Sequence, residues 1–130
     1  MSRVVAAVSR DVQDRIRAIL PECELRFVLT AAQLGRELQE ASCDMVIVGT
    51  QFDESSAVAA LERVLSRAET FPVVCVRAVP SVRLGERSLD ALRLALSELG
   101  VQNFIDLLQY PDDALGNERV RALLERLLPR

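Results

Sequence analysis

The residues in this chain that could do chemistry are few in kind. There is no histidine, and all 16 basic residues are arginine. Ser-His, Cys-His and His-metal chemistry is therefore closed. So is any Schiff-base or general-base amine, because arginine stays protonated. The three cysteines, Cys23, Cys43 and Cys75, are far apart and form no CxxC. Without histidine they complete no zinc set, and an odd, scattered count reads as reduced thiols. Cys75 lies inside VVCVRAV and reads as a small buried filler. What remains is carboxylate, hydroxyl and guanidinium, the groups that accept phosphoryl, hold magnesium or clamp an anion.

These groups matter only where a fold gathers them. CDMVIVGTQFDES, residues 43–55, reads as an apolar strand running into a polar loop. Four more such runs surround it: RVVAAV (3–8), ELRFVLT (24–30), FPVVCVRAV (71–79) and VQNFIDLLQ (101–109). Helical spacing separates them. DVQDRIRAILP carries Val12, Ile16, Ile19 and Leu20, with Ser9 or Asp11 as a cap and Pro21 as its stop. AAQLGRELQEA sets Leu34 and Leu38 on one face. Residues 56–69 carry the stripe Val58, Leu61, Val64 and Leu65. A fourth helix runs from an N-cap at Ser88 to a stop at Gly100. A fifth starts near Pro111 and Asp112, with Leu115, Val120, Leu123, Leu124, Leu127 and Leu128 as its apolar side.

The order is strand then helix, five times over. Strands that are apolar throughout are buried on both faces, as in a parallel sheet between helix layers. The expectation is an α/β fold with a single five-stranded parallel sheet, helices on both faces, and residues 1–130 as one domain with no separate output domain. In such sheets the functional crevice lies at the carboxyl ends of the strands, at the switch point of strand order. The residues there are Ser9, Arg10 and Asp11 after the first strand, Gly49, Thr50, Gln51 and Asp53 after the third, Arg77 after the fourth, and Leu107 after the fifth.

Three phrases in register give these positions a meaning. CDMVIVG, FPVVCVRA and ELGVQNFIDL resemble the third strand, the fourth strand and the entry to the fifth strand of the receiver domain of bacterial response regulators. The resemblance spans nearly the whole chain and implies a receiver or flavodoxin-like (βα)5 fold. It also implies a reaction centre: an acidic pair after the first strand to hold magnesium, an acceptor aspartate closing the third, a threonine or serine closing the fourth, and a lysine in the fifth. At the matching positions stand Ser9 and Arg10, with Asp11 slightly late, then Gly49, Arg77 and, near the lysine, Leu107. The chain looks like a pseudo-receiver that has lost aspartyl phosphorylation. The resemblance then implies a signalling or regulatory module, not an enzyme, that works by protein–protein contact and needs no cofactor.

Arg77 closes an apolar strand and has two readings: it fills the space left by phosphate, metal and lysine, paired with Asp11 or Asp53, or it snorkels to solvent at the sheet edge. An alternative uses Arg77, Thr50 and Ser9, with helix-start N–H groups, to sense a small ligand or anion. No Gly-rich phosphate loop supports it. Asp53 and Glu54 lie too far past the strand to act as acceptor, and Asp112 and Asp113 read as charges favoured by a helix N-terminus. From Arg77 to Gly100 the chain exceeds a usual receiver, with the excess in VPSVRLGERS. The expected partner surface combines that loop, with Arg83 and Arg87, and the face formed by the fourth helix, fifth strand and fifth helix, with Arg93, Asp106, Arg119 and Arg121. The expected partner is a signalling protein, and a homodimer through the same face is a second expectation.

A net charge of −3 argues against nucleic acid as a direct partner. No apolar run approaches the roughly 18 residues of a membrane span. MSRVVAAVSRDVQD meets charge too early for a signal peptide, which makes cytoplasm the expected location.

Overall fold

The computed structural model describes residues 2–40, 42–49, 71–77, 94, 96–98, 100, 101 and 103–128. Five strands, β1 (Arg3–Ala7), β2 (Glu24–Val28), β3 (Met45–Gly49), β4 (Val73–Arg77) and β5 (Asn103–Asp106), form one parallel sheet in the order β2-β1-β3-β4-β5. Helix α1 (Arg10–Ile19) joins β1 to β2, and α2 (Ala31–Glu40) joins β2 to β3. Helix α3 (Ala114–Glu125) follows β5 after a 3-10 helix, Leu107–Gln109. Leu94 and Leu96–Glu98 are helical, within the predicted fourth helix. The predicted third helix lies outside the described residues.

Alternation along each strand divides the core in two. Val4, Ala6, Met45, Ile47, Val74, Val76 and Ile105 face one layer, where Val12, Ile16 and Ile19 of α1 meet Val120 and Leu124 of α3. Val5, Ala7, Val46, Val48, Val73 and Cys75 face the other, with Leu34 of α2 and Leu96. Burial on both faces is why these strands read as unbroken apolar runs. From β1 the chain steps outward to β2 and then returns past β1 to β3, so the strand order reverses there. The switch point therefore falls between β1 and β3, with Ser9 and Gly49 at its carboxyl edge.

The elements are shorter than their apolar runs suggest. β4 starts after Pro72, and β5 ends at Asp106 where the run was expected to continue to Gln109. The carboxylate of Asp106 accepts the Leu108 N–H at 3.1 Å and bends the chain into the 3-10 turn. Leu127 and Leu128 lie beyond α3 and still pack on the first core cluster, and Leu115 is 58% exposed, not part of the apolar side.

The entry to α3 depends on close backbone approach. Asp113 is the N-cap and accepts the Gly116 N–H at 2.8 Å. A Cβ on Gly116 would stand 1.9 Å from the Pro111 carbonyl oxygen. That contact cannot be relieved by a rotamer, so α3 or the loop must move. Gly116→Ala is expected to cost about 1–3 kcal/mol in urea denaturation, the range for forced overpacking. No loss of stability would mean that the two segments are not so close.

At the amino end of the sheet, Glu37 of α2 is only 9% exposed. Its carboxylate pairs with the Arg3 guanidinium, and its other oxygen lies 3.3 Å from Arg26 Nε. Arg3 also donates from its backbone N–H to Asp44 and from its side chain to the Ser42 carbonyl. A buried acid held this way costs little, because its charge is matched and hydrogen-bonded.

Candidate functional site

At the exit of β1, Val8 is fully buried and Ser9 is the N-cap of α1 in extended backbone. Its carbonyl accepts the Val12 N–H at 3.0 Å, but its side chain makes no capping bond. Ser9 Oγ is buried without a hydrogen-bond partner. Arg10 and Asp11 are both exposed. Asp11 lies in the first turn of α1, where the helix dipole favours a carboxylate. The position expected to hold an acidic pair therefore presents a hydroxyl and an exposed arginine.

Gly49 closes β3 and is buried. A Cβ there would meet Val8 Cγ1 at 3.4 Å and the Ala7 carbonyl at 3.6 Å, within ordinary contact. Packing therefore does not demand glycine at this position. Thr50, Gln51, Asp53 and Glu54 lie outside the described residues.

Arg77 closes β4, and the ladder sets it opposite Asp106 at the end of β5. Arg77 Nη1 donates to Asp106 Oδ2 at 3.1 Å. The Arg77 side chain is 23% exposed and that of Asp106 6%. Asp106 thus accepts from Arg77 on one oxygen and from Leu108 N–H on the other. This corrects two expectations. Arg77 pairs with Asp106, not Asp11, because the strand register brings them side by side while Asp11 turns to solvent. Asp106 is not part of an exposed face, since both its oxygens are used inside the fold. Leu107 is fully buried against the α1–α3 layer.

Of the other surface residues expected from sequence, Arg119 is exposed. Arg121 is committed to the fold. Its Nε donates to the Ile19 carbonyl at 2.6 Å and its Nη2 to the Ala18 carbonyl at 3.1 Å, satisfying the last turn of α1. Arg83, Arg87 and Arg93, and the whole loop VPSVRLGERS, lie outside the described residues. Leu94, Leu108 and Leu115 are exposed at 63%, 42% and 58%.

Sequence reasoning missed Arg15. Its guanidinium donates to the carbonyls of Leu107 (2.9 Å), Tyr110 (2.7 Å) and Pro111 (3.3 Å) and to Asn117 Oδ1 (3.2 Å). One residue of α1 therefore holds the whole connection from β5 to α3. Its only sequence signal is an arginine between Val12 and Ile16, beside the buried stripe.

Burial raises all three thiols, Cys75 to about 12 and Cys23 and Cys43 by smaller amounts. Cys75 is thus a protonated filler at neutral pH and not a nucleophile. Among the described residues no three His, Cys, Asp or Glu side chains gather as a metal site, and no helix is long and apolar enough to cross a membrane.

No family model and no curated protein matches the sequence. Solved structures do match. The response regulator TrrA from Thermotoga maritima, in complex with magnesium and beryllofluoride, aligns with a TM-score of 0.73 at 11% identity, over 98% of this chain and 100% of that one. A CheY-like response regulator receiver domain protein from Methanospirillum hungatei JF-1 aligns with a TM-score of 0.72 at 12% identity, over 98% and 94%. The signal receiver domain of an HD domain-containing protein from Pseudomonas fluorescens Pf-5 aligns with a TM-score of 0.69 at 13% identity, over 96% and 91%. The fold is that of a response regulator receiver domain.

Proposed function

We propose that this chain is a signalling module that works without phosphorylation, by contact with a signalling protein. The observation that carries the reading is the pair Arg77–Asp106, which joins the ends of β4 and β5 where the resemblance implies a hydroxyl switch and a lysine. Beside it, Gly49 offers no side chain to phosphorylate and Ser9 and Arg10 replace the acidic pair. Magnesium wants at least one or two carboxylates together with phosphate oxygens, and at the described edge the Asp106 carboxylate is taken by Arg77 and Leu108 N–H while Asp11 is exposed.

The partner surface we assign is the face around the helical residues Leu94 and Leu96–Glu98, β5 and α3. It carries the exposed Leu94, Leu108 and Leu115 and the exposed Arg119. Apolar side chains gathered near a charged rim mark interaction sites. A homodimer through this same face is the competing use of it. The anion-sensor reading rests on one observation, the buried and unpartnered Ser9 Oγ at the start of α1.

Acyl-phosphate labelling with magnesium, followed by intact mass, tests the first part. The parent chain is expected to gain no phosphoryl group. Gly49→Asp is expected to fold, since a Cβ fits there, and also to remain unlabelled, because one carboxylate does not recreate the metal site, the hydroxyl or the lysine. Labelling of the parent would overturn the reading. Efficient labelling of Gly49→Asp would show that the rest of the centre survives in another form. For the surface, a partner captured by the parent is expected to be lost with Leu94→Asp and Leu115→Asp.

A further inference from the structure

At the opposite edge of the sheet no strand among the described residues pairs with the outer side of β2. β2 is an edge strand, and its hydrogen bonds alternate. Glu24 N–H donates to the Ser2 carbonyl at 2.8 Å, so Glu24 addresses β1. On a strand, alternate residues aim their backbone groups to opposite sides. Arg26 and Val28 therefore also address β1, while Leu25 and Phe27 aim their N–H and C=O groups outward. The next outward donor, Leu29 N–H, is taken by the chain's own Gln33 Oε1 at 2.8 Å. The open row is thus short and ends in a side-chain cap.

The side chains beside this row are charged in a self-complementary way. Glu24 and Arg26 are exposed and, two residues apart, point to the same face, the one covered by α2. The Arg26 side chain is 64% exposed, with its Nε 3.3 Å from Glu37 Oε2. A cleft of about 290 Å3 opens between β2 and α2, lined by Arg26, Phe27, Gln33, Arg36, Glu37 and Glu40 among others.

We propose that two copies of this chain pair through their β2 edges, antiparallel about Leu25, joining their sheets into one. An outward-facing residue at the two-fold axis exchanges both backbone bonds with its mate. With Leu25 there, Glu24 stands opposite the partner's Arg26 and Arg26 opposite the partner's Glu24. Centring on Glu24 or on Arg26 would set like charges against each other, which destabilises a strand pair. The two-fold axis runs perpendicular to the sheet, so the α2 faces of both copies lie on the same side.

Helix spacing fits the same arrangement. α2 packs on β1 and β2. Two such helices across the joined edge would be about two strand spacings apart, roughly 10 Å, which is an ordinary helix–helix distance. The exposed residues of α2 beside the cleft, Gln33, Arg36 and Glu40, carry both signs of charge one turn apart. The occupant that this edge fits is therefore a second copy, which fills both clefts at once. Because β2 is at the far edge from β5, the surface assigned above stays free.

Sedimentation equilibrium over a wide concentration range tests the proposal, with Glu24→Arg, Arg26→Glu and their equimolar mixture. The parent is expected to double in mass as concentration rises. Each variant alone sets only like charges across the axis and is expected to dimerise at least roughly tenfold more weakly. The mixture pairs arginine with glutamate at every position and is expected to recover the parent's association. Arg26→Glu also meets Glu37, so a melting curve accompanies it, and Glu24→Arg, whose parent side chain makes no hydrogen bond or ion pair among the described residues, carries the test if that variant is unstable. A parent that stays monomeric overturns the proposal. So does a dimer that ignores both reversals, or one broken instead by Leu94→Asp, which would place self-association on the β5 side.

Discussion

Asp106→Ala is expected to lower the stability of the domain by about 3–5 kcal/mol, the usual consequence of removing one member of a buried ion pair. Two groups lose their partner at once. The Arg77 guanidinium, 23% exposed, keeps its desolvation without its counter-ion, and Leu108 N–H loses the acceptor that bends the chain after β5. Arg77→Ala is expected to cost less, because the carboxylate keeps the Leu108 bond. Replacing both residues by leucine is expected to recover most of the loss, since two charges leave the interior together. Adding the double variant Arg77→Ala/Asp106→Ala closes a cycle with the two single alanine variants, and urea denaturation of these with the parent gives the coupling. A cost below about 1 kcal/mol for Asp106→Ala would put the pair in the class of solvent-screened surface bridges and remove its claim to hold β4 against β5.

That pair shows what sequence could and could not yield. The strands were legible because burial on both faces leaves continuous apolar runs, and Arg77 stood out because it breaks one. Its partner did not. Asp106 follows Phe104 and Ile105 and reads as a polar residue at a strand end, suited to an exposed face. Only the ladder register, Arg77 opposite Asp106, turns it inward. The same reason hid Glu37, which lies between Leu34 and Leu38 on α2. Nothing local announces that Arg3, 34 residues away, will neutralise it.

Gly116 was silent for a different reason. Its constraint is a carbonyl oxygen, and backbone approach leaves no mark on residue type except the glycine itself. The pairing Asp113 with Gly116 does carry a faint N-cap signal, which Asp112 and Asp113 together made legible as a helix start. The crevice was readable by elimination instead. A chain without lysine lacks the lysine that the resemblance implies whatever the register, so Gly49, Ser9 and Arg10 needed no geometry to be recognised as departures from that resemblance.

Arg15→Met is expected to have an effect as large as the ion pair, about 3–5 kcal/mol, and to show where the connection from β5 to α3 gets its order. The side chain is 12% exposed and supplies every donor that the carbonyls of Leu107 and Tyr110 receive from α1. Hydrogen bonds from a charged donor are worth about 1.5–3 kcal/mol each, and they do not simply add. The contact with Asp112, at 3.8 Å and with that carboxylate 64% exposed, contributes little by comparison. Methionine fills much of the same volume but removes the Arg15 donor from the Tyr110 and Pro111 carbonyls and Asn117 Oδ1 and leaves the Leu107 carbonyl only the Tyr110 N–H, which separates the polar role from packing. Arg15→Lys is expected to fall between, because one ammonium cannot span acceptors that a planar guanidinium reaches in several directions. Amide exchange adds a local readout: protection is expected to fall first in residues 107–117, before the sheet opens. Arg15→Met with parent-like stability and exchange would mean that the connection is ordered by α3 and its Asp113 cap alone.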